Sequence, residues 1–304
     1  MIKSKFITSL FQKYLKNKDI STLKNNIFYY FIFRAVRSFL VNDIILNINN
    51  FKIYGSIDKN KTSYFLLKKC EFGDYHELNI INKFTKKNKI LFLDCGCNYG
   101  FYSFYVASLS EKNKIISIEA SKNTLEEFNR NLDLNKFKNV ISLNKAVSDI
   151  DDKTITFNES EKDWESSIVH QNYNFREISI ISTIKIDTLV KKYDFENYKI
   201  IIKLDIEGNE MSAIKGSLEL VKNSSPLIII EFSKYIFGKE DNIEYLKNFL
   251  IRYDYSIYDT NNNKQNMDNI LNKINNLQKR YQTIGNYYLI KNSSKTLEAF
   301  LSDE

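Results

Sequence analysis

Hydrophobic positions along the chain follow two rhythms. From residue 89 onward, short apolar runs such as Ile90, Leu91, Phe92 and Leu93 alternate with stretches where apolar residues recur every three or four positions. The runs suit strands buried on both faces, and the spaced stretches suit amphipathic helices. Strands are expected at 90–94, 115–119, 140–146, 200–205 and 227–232, with helices at 101–109, 124–135 and 209–222. The last helix carries Met211, Ile214, Leu218 and Val221 on one face, an ordinary core stripe. Further strands at 255–258 and 286–290 are separated by an Asn-rich stretch and a helix near 270–281. Alternating strands and helices imply an α/β fold, a mostly parallel sheet with helices on both faces. An insertion between the third and fourth strands is expected to hold edge strands at 154–157 and 180–185 around a polar segment, 158–179.

Before residue 89 the pattern differs. Short strands at 44–48 and 51–56 flank Asn49 and Asn50, a hairpin signal. A helix with Leu78, Ile80, Ile81 and Phe84 follows Glu77. Upstream, Phe6, Ile7, Leu10, Phe11, Tyr14 and Leu15 recur at helical spacing among lysines, and a second apolar segment, 27–41, is interrupted by Arg34 and Arg37. Its uncharged part, 27–33, is far short of the ~20 apolar residues a membrane span needs. No secretory cleavage pattern is visible. The chain divides on this reading into a basic amphipathic helical and hairpin extension, 1–50, and a main domain, 51–304. The extension has two readings: a helical cap packed on the main domain, or a docking element for an anionic membrane face.

Composition narrows the picture. With 304 residues, 43% hydrophobic, the chain can bury a substantial core. A single proline and eight glycines exclude long flexible linkers. The cysteines, Cys70, Cys95 and Cys97, form no disulfide framework, which suits a cytoplasmic protein. Cys95 and Cys97 resemble half a zinc site, but no second pair follows and the only histidines are His76 and His170; packed side chains are the better reading, and no metal is expected. The net charge is +7, and residues 1–50 hold eight lysines and arginines against Asp19 and Asp43. The near-neutral remainder argues against a nucleic-acid groove.

Three motifs carry chemistry. Strand 90–93 runs into Asp94, Gly96, Asn98 and Gly100, an Asp-x-Gly-x-x-x-Gly turn opening a helix. Its glycines would let backbone approach a ligand. The spacing is not the Gly-x-Gly-x-x-Gly that accommodates a pyrophosphate. Strand 115–118 ends at Glu119, where a carboxylate can accept hydrogen bonds from two ribose hydroxyls. Lys203, Leu204, Asp205, Ile206, Glu207, Gly208, Asn209 and Glu210 lie at the end of the fourth sheet strand, where open α/β sheets bind ligands. A solvated helix N-terminus would explain Glu210 but not Asp205.

Together these motifs make the chain resemble the FkbM-type methyltransferases. The resemblance rests on Asp94 to Gly100, Glu119, the segment Asn144, Ala146 and Ser148, the block from Lys203 to Glu210, Ile214, Lys215 and Gly216, the approach through Thr183, Asp187 and Leu189, and Glu231 at the fifth strand end. Cys95, Cys97 and Ala120 depart from it without removing a charge. It implies a Rossmann-like class I methyltransferase sheet of seven strands, S-adenosyl-L-methionine as cofactor, and O-methylation of a sugar hydroxyl in a surface glycan or glycolipid or of a polyketide-type hydroxyl, between which the basic N-terminus favours the glycan or glycolipid. Cofactor-binding candidates are Asp94, Gly96, Asn98, Gly100, Glu119, Asn144, Ala146 and Asp205. Asp205, Glu207 and Glu231 are candidate catalytic carboxylates, with Glu77 and His170 as weaker ones; Asp205 and Glu231 could also orient a divalent cation. Trp164, Ser166, Ser167 and His170, in the insertion, are candidates for the acceptor pocket. Two rivals stand beside this reading: an NAD-type oxidoreductase, and a non-catalytic cofactor-binding or membrane-tethering module.

Overall fold

The computed structural model describes residues 2–70, 75–160, 175–193, 195, 197–279, 282–294, 297, 298 and 300. The chain opens with α1 (Ile2–Leu15), α2 (Ile27–Val36), the antiparallel hairpin β1 (Ile44–Ile48) and β2 (Phe51–Gly55), then α3 (Thr62–Lys69) and α4 (Tyr75–Lys87). Next come β3 (Ile90–Cys95), α5 (Phe101–Leu109), β4 (Lys114–Glu119), α6 (Lys122–Asn135) and β5 (Val140–Asn144). The insertion holds β6 (Ala146–Val147), β7 (Thr154–Ser160) and β8 (Phe175–Ile184). The rest comprises α7 (Ile186–Lys192), β9 (Lys199–Leu204), α8 (Glu210–Lys215), α9 (Leu218–Ser224), β10 (Leu227–Ser233), α10 (Lys234–Phe237), α11 (Glu240–Tyr253), β11 (Tyr255–Tyr258), β12 (Lys264–Gln265), α12 (Met267–Asn275) and β13 (Thr283–Lys291).

The main sheet runs β12-β11-β13-β10-β9-β3-β4-β5. Strands β10, β9, β3, β4 and β5 are mutually parallel, while β13 is antiparallel to both β10 and β11. The seven expected strands are present, and the two-residue β12 adds an eighth. Because successive strand side chains alternate in direction, the unbroken Ile/Leu runs feed two cores. Ile90, Phe92, Ile201 and Ile229 join α4, α5 and α6 on one face; Leu91, Leu93, Ile202 and Ile230 join α8, α9 and α11 on the other.

Four expectations need correction. The helix expected over 209–222 is two helices, broken at Gly216 and Ser217. A Cβ on Gly216 would stand 2.1 Å from the Ser148 carbonyl oxygen, and the Gly216 carbonyl accepts from Asp187 N at 2.9 Å. The Asp187 carboxylate then caps the second helix by accepting from Glu219 N and Leu220 N. The helix expected at 270–281 is Met267–Asn275, started by Asn266, whose side chain accepts from Asn269 N. Strand 140–146 breaks after Asn144, and β6 pairs with β8 in a separate three-stranded sheet, β6-β8-β7, so the insertion strands are not edges of the main sheet. The helix Glu240–Tyr253, with Leu246 and Phe249 buried, was not anticipated.

Candidate functional site

Sheet register gathers the acidic residues. Asp94 stands beside Lys203 across the β3–β9 pair, and Ile230 beside Leu204 across β9–β10, which sets Glu231 next to Asp205. By alternation Asp94, Lys203 and Glu231 share the face of Phe92, Ile201 and Ile229, under α5. Asp94 and Lys203 are buried. Ser103 Oγ donates to the Asp94 carboxylate at 2.6 Å and lies 2.7 Å from Ser117 Oγ. Lys203 Nζ donates to Asp205 at 2.7 Å and sits 4.6 Å from the Tyr102 ring centroid. Burial pushes the Asp94 carboxyl upward, and the Lys203 charge and the Ser103 hydroxyl pull it back. Glu231 is pushed up to about 8, first by burial and then by the negative charge of Asp205.

The turn after β3 is fixed to the strands beside it. Gly96 N donates to Ile118 O at 2.9 Å and Asp205 N to Cys95 O at 3.1 Å. Gly96 has a φ of +82°, and a Cβ there would lie 1.8 Å from the Asp205 carbonyl oxygen. Gly100 (φ +97°) faces the rings of Phe104 and Phe128, which a Cβ would meet at 2.3 and 2.8 Å. The two glycines therefore make room for the protein's own backbone and rings. Asn98 N donates to one oxygen of Glu119 at 3.0 Å and Ser121 N to the other at 2.9 Å.

A cavity of about 210 Å³ opens at the carboxyl ends of β3, β4 and β9. Seven of the expected residues line it: Asp94, Gly96, Asn98, Glu119, Ala146, Asp205 and Glu207. Three do not. Gly100 is a packing glycine, and Asn144 turns its amide to Glu119 O and Ala120 O, tying β5 to the end of β4. Glu231 stands behind Asp205. Glu210 is not the solvated helix-end acid that its position suggested. It is buried and accepts from Ile206 N and Gly208 N, clasping the turn that presents Asp205 and Glu207, and burial pushes it up to about 7. Glu77 is buried in α4 and does not line the cavity. Trp164, Ser166, Ser167 and His170 lie outside the described residues. Cys95 and Cys97 are buried with free thiols.

Lys203, Tyr102, Lys145, Phe157 and Thr62, to which no motif assigns a role, also line the cavity. Lys203 had a signal, a cation inside an otherwise apolar strand. Phe157 and Thr62 had none, because the small sheet and α3 reach the cavity only through tertiary packing.

The lining suits a molecule with a cationic end and an apolar end. Asp205 and Glu207 supply negative charge on one side; Ile118, Ala146 and Phe157 supply apolar wall on the other, with Glu119 also on the lining. A parallel sheet with one reversed strand inserted, and a cavity at its strand ends, is the arrangement of the Rossmann-like class I methyltransferase fold. Residues 94–257, just over half of the chain, match the Methyltransferase FkbM domain. The chain belongs to the FkbM methyltransferase family, whose methyl donor is S-adenosylmethionine, and the NAD-type reading falls with that assignment.

Among solved structures the chain is similar to Methyltransferase FkbM from Methylobacillus flagellatus KT, at 20% identity over 75% of this chain and 52% of that one, with a TM-score of 0.39. The match thus spans about half of that protein's length. M. jannaschii TYW2 in complex with AdoMet matches at 11% identity over 82% and 87% of the two chains, TM-score 0.41. The O-methyltransferase from Bacillus cereus in complex with SAH matches at 11% identity over 73% and 83%, TM-score 0.40. No curated protein sequence matches the chain.

Proposed function

We propose that this methyltransferase transfers a methyl group to a sugar hydroxyl of a surface glycan or glycolipid, with the acceptor meeting the cofactor at Asp205. The observation that carries the reading is one cavity bounded by Glu119 at the end of β4 and by Asp205 and Glu207 just past β9. Glu119, oriented by the Asn98 and Ser121 amides, would receive the ribose hydroxyls. Ile118, Ala146 and Phe157 would hold the adenine, and the acids beyond β9 the methionine moiety; all of them line the cavity. When bound, S-adenosylmethionine supplies a methyl group on a sulfonium, ready for in-line displacement.

The chain's own task is to hold the acceptor oxygen in line and take its proton. Asp205 suits it: its side chain is 42% exposed, lines the cavity, and is oriented by Lys203. Glu207 lines the same wall and is the second candidate. Burial and the charge of Asp205 push Glu231 up to about 8, which favours its neutral form near neutrality and leaves it the third candidate.

Calorimetry tests the cofactor half of this reading. S-adenosylhomocysteine should bind where NADH does not, and Glu119→Gln should weaken that binding roughly tenfold or more through the lost charge-assisted bonds. Mass spectrometry of cell-surface glycans with and without the gene tests the acceptor half, through loss of units of about 14 Da, one methylene per site. An unchanged methylation pattern removes the glycan acceptor and leaves the cofactor site standing. Cofactor affinity without turnover on any acceptor would favour a non-catalytic module.

A further inference from the structure

Helices α1 and α2 bury one face each and leave the other in water. Phe11 and Leu15 of α1 and Tyr29 and Phe33 of α2 belong to the same core as β3 and α5, and Phe11 stacks on Tyr29. This is the packed cap of the first reading of the extension. The opposite faces are not covered. Phe6 is 63% exposed and Phe28 76%, and Leu10, Ile27, Phe31, Phe39 and Val41 are exposed as well. Solvent-exposed apolar side chains at this density on adjoining elements mark a binding surface, whereas scattered ones need no explanation. The elements adjoin: α1, α2 and the turn Arg37–Phe39 contact one another.

The chemistry of the surface selects its partner. Both helices repeat one arrangement at i, i+4 and i+7, the spacing of a single helical face. On α1 it reads Phe6, Leu10, Lys13; on α2 it reads Ile27, Phe31, Arg34. All six side chains are exposed, each apolar pair with a cation one turn beyond it. Lys3, Lys5, Lys16 and Arg37 add exposed positive charge. The sole acid before Asp43 is Asp19, which is occupied in capping the turn Ile20–Leu23. Apolar tips ringed by cations fit the boundary of an anionic bilayer, where rings enter the acyl region and cations meet phosphates. Among the described residues no helix is long and apolar enough to cross a membrane, so such contact would be interfacial.

We infer that the outer faces of α1 and α2 dock this chain onto an anionic phospholipid surface. Docking of this kind does not depend on the identity of the methyl acceptor. The test is flotation of the full-length protein with vesicles of pure phosphatidylcholine and of an equimolar mixture with phosphatidylglycerol. The protein should float with the anionic vesicles, weakly or not at all with the neutral ones, and should be released by ~0.5 M salt. Joint replacement of Phe28→Ser and Phe31→Ser should reduce partitioning about tenfold or more, and Lys3→Gln with Lys5→Gln and Lys13→Gln by a similar factor. Neither set touches the buried faces, so S-adenosylhomocysteine affinity and melting temperature should stay at wild-type values. Should the α2 pair impair folding, Phe6→Ser with Leu10→Ser probes the same surface from α1. Absence of flotation, or equal flotation with neutral vesicles, overturns the inference. So does a dimer that Phe28→Ser and Phe31→Ser dissociate while no vesicle is bound, since a second copy would then be the occupant.

Discussion

Lys203 stands in an environment far from the one its type prefers. Its ammonium is buried between the Asp94 and Asp205 carboxylates and the Tyr102 ring. Lys203→Met removes the cation that offsets burial of Asp94. The Asp94 carboxyl, already raised, should then rise further. A loss of about 2–4 kcal/mol at pH 7 is expected, shrinking as pH falls toward the unfolded-state value of Asp, where the proton costs nothing extra. Urea denaturation at pH 7 and pH 5 checks this, and a pH-independent loss would refute it. Glu231 gives the complementary case. Its folded value, about 8, exceeds the ordinary 4.5, so the folded state keeps a proton that the unfolded state releases between those pH values. The contribution of Glu231 to wild-type stability therefore falls as pH rises through that window, while Glu231→Gln cannot ionise. The variant should be more stable by about 1–3 kcal/mol at pH 9, with no such gap at pH 4. The strand-end acids Asp94, Glu119, Asp205 and Glu231 could be read from sequence because each terminates an apolar run. The pairing of Asp94 with Lys203 could not, since it depends on strands more than a hundred residues apart meeting in one register.

Elements show the same division between local and long-range causes. Strands β3, β4, β9 and β10 were legible because each is a run of branched apolar residues buried on both faces. The break between α8 and α9 was not, because its cause is the Ser148 carbonyl against Gly216, with Asp187 capping from another helix. The start of α12 was available in principle, in Asn266 as a capping residue before Met267. Removing the cap from α9 isolates the contribution of Asp187. Asp187→Ala leaves the Glu219 and Leu220 amides without their carboxylate and should cost about 1–2 kcal/mol, while Asp187→Asn should recover a large part. Thermal denaturation of the two variants distinguishes a capping role from a role of Asp187 at the cofactor cavity, which it does not line. A cavity role predicts the opposite ranking of effects: cofactor affinity lost and stability kept.

At the scale of the whole molecule, the first fifty residues are bound to the site through a chain of contacts that no sequence pattern announces. The Tyr29 hydroxyl bonds the Leu67 carbonyl, and the Phe33 ring lies 6.3 Å from that of Tyr64, so α2 holds α3, whose first residue, Thr62, lines the cavity. Asn131 of α6 accepts from Tyr54 N of the hairpin and donates to Tyr99 O in the turn after β3. The Arg130 guanidinium pairs with Asp43 at 2.6 Å. These links argue against an independent appendage ending at residue 50. We expect deletion of residues 1–42 to uncover the rings and aliphatic groups on which Phe11, Leu15, Tyr29 and Phe33 rest, at about 1.5–3 kcal/mol for each buried side chain lost. Melting temperature should drop steeply, and S-adenosylhomocysteine affinity should fall with it as α3 loosens. A removable extension would leave both unchanged. Asn131→Ala separates the two effects, because it spares the cap and cuts only the link from hairpin to turn. A weakened cofactor affinity in that variant, with a stability loss of about 1–3 kcal/mol from the orphaned buried groups, would show that the cap steadies the site through the hairpin as well as through α3.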